Sequence, residues 1–219
     1  MKKINKILLV SFISITIAII SALSILLFTT PKIDNLTIKN PDETAFMKGC
    51  NANLKYNFVP IENISPIMQR AAMVAEDSRF YEHNGIDFEA LKEALIKDIK
   101  RKEFAFGAST ITMQLARNLY LEPSKTIFRK ARELMIATKL EKTLSKQRIL
   151  ELYLNVVQFG KCIYGVEAAS KHYFNKPASA LDAHEAAFLA AILPRPSYYQ
   201  NNPNSNFLGR RIAFIEKFL

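Results

Sequence analysis

Two cysteines and three histidines are all that the 219 residues offer in soft metal ligands. Cys50 and Cys162 are too few for a disulfide framework, and with His83, His172 and His184 they show no zinc-like spacing. A Cys50–Cys162 bond is open to a chain outside the cytoplasm, but two free thiols are the expectation. No Ser-x-x-Lys occurs, which removes the penicillin-type acyl-transfer serine. Gly160-Lys161 is not a P-loop, because Asn155 stands where the first glycine belongs and Cys162 replaces the Ser/Thr. G-x-G-x-x-G is also missing. Neither a sustained apolar–polar alternation nor an internal repeat is visible, so a sheet-built domain is not expected.

What is present is one long apolar run and an excess of positive charge. Ile7 to Phe28 spans 22 residues without a charge, enough for a helix to cross a hydrocarbon core of about 30 Å. Lys2, Lys3 and Lys6 precede it, so the positive-inside rule puts residues 1–6 in the cytoplasm and everything after Phe28 outside. A cleaved signal peptide would have an apolar core of about 7–15 residues and a small-x-small site. Here Phe28-Thr29-Thr30-Pro31-Lys32 follows instead, and an uncleaved single-pass anchor over 7–28 is the expectation.

Of the 30 basic residues, the 27 outside those three lysines face 20 acidic ones. Nearly all of this excess lies between Arg117 and Arg148, where nine cations meet only Glu122, Glu133 and Glu141. Such a stretch attracts phospholipid headgroups, nucleic acid or a phosphorylated substrate. A location outside the membrane makes nucleic acid the poorest partner.

Residues 29–53 are polar and weakly patterned and read as a linker or stalk; residues 54–219 read as one all-α domain. Ser65-Pro66 predicts a helix start, with proline at the first helical position and the helix running to Glu76. Asp87 predicts a cap for a second helix, Ser109 for a third, Ser124 for a fourth reaching Leu140, and Ser145 for a fifth. Gly165 precedes a sixth. Asp182-Ala183-His184-Glu185 has the form of a capping box, its helix stopping before Pro194, and another helix begins near Asn206.

Three constellations have chemical potential. Glu76-Asp77 falls at a helix C-terminus, where the dipole and the neighbouring acid both disfavour an anion. That raises the pKa of Glu76 toward what a general base needs; the plain alternative is a polar helix end with a structural His83. Lys125, Arg129 and Glu133 fall at i, i+4 and i+8, flanked by Lys130 and Arg132, with Ile127, Ala131, Leu134 and Met135 available for the opposite face. This row reads either as a salt-bridged exposed face or as a phosphate clamp in which Glu133 orients the cations or holds a divalent ion. Gly107 to Gln114 joins a glycine turn, hydroxyls and a helix start, which suits anionic or sugar oxygens or is an ordinary cap.

In order along the chain, five blocks resemble the peptidoglycan glycosyltransferases of family 51, most closely the monofunctional biosynthetic transglycosylases. They are Glu76-Asp77…Phe80…His83…Gly85; Gly107-Ala108-Ser109-Thr110-Ile111-Thr112…Gln114-Leu115; Arg129-Lys130…Glu133; Ile149-Leu150-Glu151…Tyr153-Leu154-Asn155; and Gly165…Glu167-Ala168-Ala169…Tyr173-Phe174…Lys176. Ala191-Ile192-Leu193-Pro194-Arg195-Pro196 fits the same pattern, and the resemblance runs from about Ala45 to the C-terminus.

The resemblance implies a lysozyme-like helical domain against the plasma membrane that polymerises lipid II into β-1,4 glycan strands and releases undecaprenyl pyrophosphate. It implies Glu76 as general base and Glu133 as a second acid on the donor side. Arg117, Lys125, Arg129 and Lys130 would contact pyrophosphate, and Ser109 and Gln114 would line the donor cleft. No obligatory cofactor is implied; Mg2+ or another divalent ion at the pyrophosphate is an open expectation, as are partners among other cell-wall synthesis proteins. Two departures stand out: Met113 where glutamine is usual, and Arg117 where lysine is commoner, which turns a point charge into a fork. A lytic muramidase on the same fold and a non-catalytic cell-wall scaffold are the rival readings. A glycosidase, however, calls for two carboxylates and no basic clamp.

Overall fold

The computed structural model describes residues 10, 12–17 and 21, and residues 30–101, 109–124 and 126–219. The chain forms two units, Met1–Lys32 and Ile33–Leu219. In the first, residues 12–17 are helical and exposed. Ser14 Oγ donates to the Val10 carbonyl and Thr16 Oγ1 to that of Phe12, each at 2.9 Å, the way hydroxyls are satisfied on a helix without water. Among the described residues no helix is long and apolar enough to cross a membrane. Most of the span expected over 7–28 lies outside them.

The second unit is mostly helical: α1 Pro66–Glu76, α2 Phe88–Arg101, α3 Ile111–Tyr120, α4 Ile127–Thr143, α5 Lys146–Val156, α6 Val166–Phe174, α7 Ala183–Ile192, α8 Pro196–Asn201 and α9 Asn206–Glu216. Local chemistry explains the boundaries. Ser145 accepts from the Arg148 N–H at 3.2 Å, and Asp182 and Glu185 close the expected capping box. Two expected caps are displaced. Thr110 rather than Ser109 caps α3, the Ser109 hydroxyl accepting from a lysine instead, and Thr126 rather than Ser124 caps α4 by accepting the Arg129 N–H. Ser65 begins α1 without a side-chain cap; its hydroxyl donates to the Leu181 carbonyl instead.

Beyond its first turn, which carries His184 and Glu185, α7 has no polar residue. Ala186, Ala187, Leu189, Ala190, Ala191 and Ile192 are all buried, and the helix packs between α1 and α9. α3 is the second central helix and packs on α4 and α5. Its buried set includes Thr112, Gln114 and Asn118 beside Ile111, Leu115 and Leu119, so polar groups are carried deep into the domain.

Three corrections to the sequence reading follow. The domain is not purely helical: strands β1 Lys55–Tyr56, β2 Gln158–Gly160 and β3 Ile163–Tyr164 form a small sheet in the order β1-β3-β2, too short to leave an alternating pattern. The stretch expected as a linker is packed from Ile33 onward, with Ile33, Leu36 and Met47 in the core. Arg148 ties it down by donating to the carbonyls of Leu36 and Lys39 and to Asn40 Oδ1.

Finally, the cysteines are not free thiols: Cys50 and Cys162 form a disulfide with Cα atoms 5.5 Å apart. Lys55 donates its N–H to the Cys162 carbonyl at 2.8 Å as β1 joins β3, and this pairing carries the Cys50 turn to Cys162.

Candidate active site

Glu76 is the last residue of α1, and its side chain is only 13% exposed. Gln114 of α3 donates Nε2 to Glu76 Oε2 at 2.8 Å, and the fully buried Tyr153 of α5 donates its hydroxyl to Gln114 Oε1 at 3.2 Å. A chain of hydrogen bonds from the core therefore sets the orientation of the carboxylate. Burial pushes the Glu76 carboxyl above its ordinary value, against the pull of Gln114, Arg211 and Arg117. The expected rise is present, but its leading cause is desolvation rather than Asp77.

Asp77 has a different task. It accepts the Ile111 N–H that opens α3 at 2.9 Å, and His83 Nε2 lies 2.9 Å from its Oδ1. The Gly85 N–H donates to His83 Nδ1 at 3.2 Å, which leaves the Nε2 proton for Asp77. Gly85 sits at φ +89, and a Cβ there would meet Glu141 Cγ at 3.0 Å. Thus Asp77, His83 and Gly85 of the first block dock α3 onto the end of α1 and aim the neighbouring Glu76.

A cleft of about 400 Å³ runs past Glu76, Ser78, Asp87, Glu93, Ser109 and Thr110. Ser109 joins it to the basic helix: Lys130 Nζ donates to Ser109 Oγ at 2.9 Å and to Glu133 Oε1 at 2.6 Å, while Arg129 pairs with Glu133 Oε2. Glu133 is 1% exposed and Ile127 92% exposed. Of the two readings of this row the exposed salt-bridged face does not hold, since at the start of α4 the charged row turns inward and the apolar residue outward. Arg117, in the last turn of α3, has a buried Nε without a hydrogen-bond partner among the described residues.

Of the expected site residues, Glu76 and Gln114 form one cluster, with Arg117 close enough to act on the Glu76 charge, and Ser109, Arg129, Lys130 and Glu133 form the other. Lys125 lies outside the described residues. The blocks around Glu151–Asn155 and Gly165–Lys176 are framework. The Asn155 amide both donates to and accepts from the Val59 backbone at 2.9 Å. A Cβ on Gly165 would strike the Asn155 carbonyl oxygen at 2.5 Å.

Sequence reasoning missed Arg211, whose Nη2 lies 3.3 Å from Glu76 Oε1 across 135 positions. No local signal marks so remote a pairing.

A divalent ion does not fit at Glu133, because each of its oxygens already faces a cation. Asp77, His83 and Asp87 bring ligand atoms within 4.8 Å of one another. Asp87, however, is held by Arg79 Nη2 at 2.7 Å and Nε at 3.0 Å, and Asp77 by His83 and Ile111. The trio is a closed hydrogen-bonded brace.

The family model for transglycosylase matches residues 43–218. The chain is similar to proteins named biosynthetic peptidoglycan transglycosylase. It is 42% identical to that of Nitrosospira multiformis over 185 residues, covering 80% of each chain. The one from Dechloromonas aromatica is 44% identical over 185 residues, again 80% of each. For Thiobacillus denitrificans the identity is 41% over 189 residues, 82% of each. The matched region takes in every residue of the cleft, and this chain belongs to the transglycosylase family.

Proposed function

We propose that this chain is a membrane-anchored peptidoglycan glycosyltransferase with a lysozyme-like helical domain, polymerising lipid II into β-1,4 glycan strands. One observation carries the reading: a buried carboxylate with a raised pKa lines a cleft whose wall residue Ser109 accepts a hydrogen bond from a lysine–arginine cluster built on a second buried glutamate. Glu76 takes the proton of the acceptor's 4-hydroxyl as its oxygen bonds to C1 of the donor. The C1–oxygen bond to undecaprenyl pyrophosphate breaks with inversion, and the leaving group departs with the electron pair. That group carries its own negative charge and needs cations more than a strong acid, a role for Arg117, Lys125, Arg129 and Lys130. Glu133 keeps Arg129 and Lys130 aimed at the cleft, while Ser109 and Gln114 line its donor side. Any divalent ion arrives with the pyrophosphate rather than residing at Glu133.

Residues 7–28 serve as the single-pass anchor, with residues 1–6 cytoplasmic and the catalytic domain outside the plasma membrane, where its polyprenyl-linked substrate lies. The disulfide supports that side of the membrane, since such bonds persist in oxidising compartments. The test is to give the purified full chain lipid II, with and without magnesium, and then finished glycan. Growth of strands that stops with Glu76→Gln supports the reading; cleavage of finished glycan would show a muramidase instead. Activity that persists in Glu76→Gln would remove the base.

A further inference from the structure

The last helix brings a cation to a carboxylate far away in sequence. α9 packs against α7 and α1. Its Arg211 reaches Glu76 Oε1 at 3.3 Å while Gln114 holds Oε2 at 2.8 Å, so each carboxylate oxygen has one donor. We propose that Arg211 is a positioning residue for the base: with Gln114 it fixes the Glu76 rotamer and keeps the carboxylate ionised, leaving a second lone pair on each oxygen for the acceptor hydroxyl. The inference rests on the reading of Glu76 as base.

Three features distinguish this pair from a surface ion pair of little consequence. Glu76 and Arg211 are 13% and 27% exposed, so water screens them weakly. Among the described residues Arg211 Nε is buried without a partner, a cost that a contact serving stability alone would avoid. And 3.3 Å is longer than the roughly 2.7–2.9 Å of a full charge-assisted bond, in contrast with Lys130–Glu133 at 2.6 Å. A tight pair would leave Glu76 a poor base, whereas a looser one offsets part of the burial and leaves the group basic.

Arg117 from α3 also acts on the Glu76 charge, and Tyr153 from α5 reaches it through Gln114, while Asp77 is turned away toward His83 and Ile111. Arg211 is the cation supplied from α9.

The experiment is a pH profile of lipid II polymerisation by the full chain, comparing Arg211→Gln, Arg211→Lys and Glu76→Gln. Arg211→Gln is expected to move the acid limb of kcat upward by about one unit, which is about tenfold in rate on that limb. The rate recovers at alkaline pH, and KM for lipid II changes less than about twofold. Arg211→Lys is expected to bring the limb back toward the parent, since the charge returns. A profile that does not move, a loss equal at every pH, or a rise in KM with kcat unchanged each overturns the proposal. The last would make Arg211 a substrate contact. If Glu76→Gln itself still builds strands, it is the reading of the base that fails, so the two failures are distinguishable.

Discussion

Glu76 and Glu133 are both buried carboxylates, and Ser109 belongs to the surroundings of each: it lines the cleft with Glu76 and accepts from the Lys130 that holds Glu133. Their provision with cations differs. Glu133 has a lysine at 2.6 Å and an arginine in contact, one for each oxygen. Glu76 has a neutral amide at 2.8 Å and a guanidinium only at 3.3 Å. Burial then makes Glu76 hold its proton more tightly than a carboxylate in water. In the proposed chemistry the difference is the division of labour: one carboxylate is kept hungry for a proton, and the other is used up as a counter-ion that aims two cations.

Breaking the base should have the largest effect. Glu76→Gln is expected to lower strand growth by about 10²–10⁴-fold, the usual share of a general base. The same variant should melt at a higher temperature near neutral pH. A carboxyl whose pKa is raised on folding is destabilising when ionised, above its unfolded value, and is relieved as pH falls through the folded one. Scanning calorimetry at neutral pH checks this, and a lower melting temperature would contradict it.

Breaking the counter-ion should invert the pattern. Glu133→Ala leaves Arg129 and Lys130 facing each other without their acid. It is expected to cost on the order of 2 kcal/mol of stability, less than for a fully enclosed pair because Lys130 is 38% exposed. Polymerisation should fall with it, at every pH alike, and denaturant unfolding beside a rate profile measures both.

A smaller change, Gln114→Leu, should sharpen the comparison. The Gln114 bond favours the ionised form of Glu76, so its loss moves the acid limb of the rate upward and lowers the neutral rate by about tenfold, on the scale of a hydrogen bond to a charge. Alkaline pH should restore the rate. Smallest of all on turnover is the disulfide. Cys50→Ala with Cys162→Ala is expected to lower stability by about 2–4 kcal/mol and to leave the shape of the pH profile unchanged. A shifted profile would tie the frame to the base after all.

The parts of this arrangement that are local in sequence could be read there. Asp182-Glu185, Ser145 and Gly165 announced their helices because a cap is made within three or four residues. Glu76 at a helix end and Lys130 near Glu133 were visible for the same reason. Three things were not. Whether the charged row or the side of Ile127 faces inward stayed open, because periodicity cannot tell which face of a charged helix meets a polar cleft. The residues before Asn53 looked like a stalk because their few apolar anchors, Ile33, Leu36 and Met47, follow no period. Arg211 and Cys162 meet partners 135 and 112 positions away, and no spacing rule reaches that far.

The Cys50–Cys162 bond closes a covalent ring that contains Glu76, Ser109, Gln114, Arg117, Arg129, Lys130, Glu133 and Tyr153 and leaves Arg211 outside. A protease that cuts the backbone once anywhere inside that ring does not separate the pieces. The nicked enzyme should run as one species on a non-reducing gel and as two after a thiol reductant, with the whole cleft still tethered.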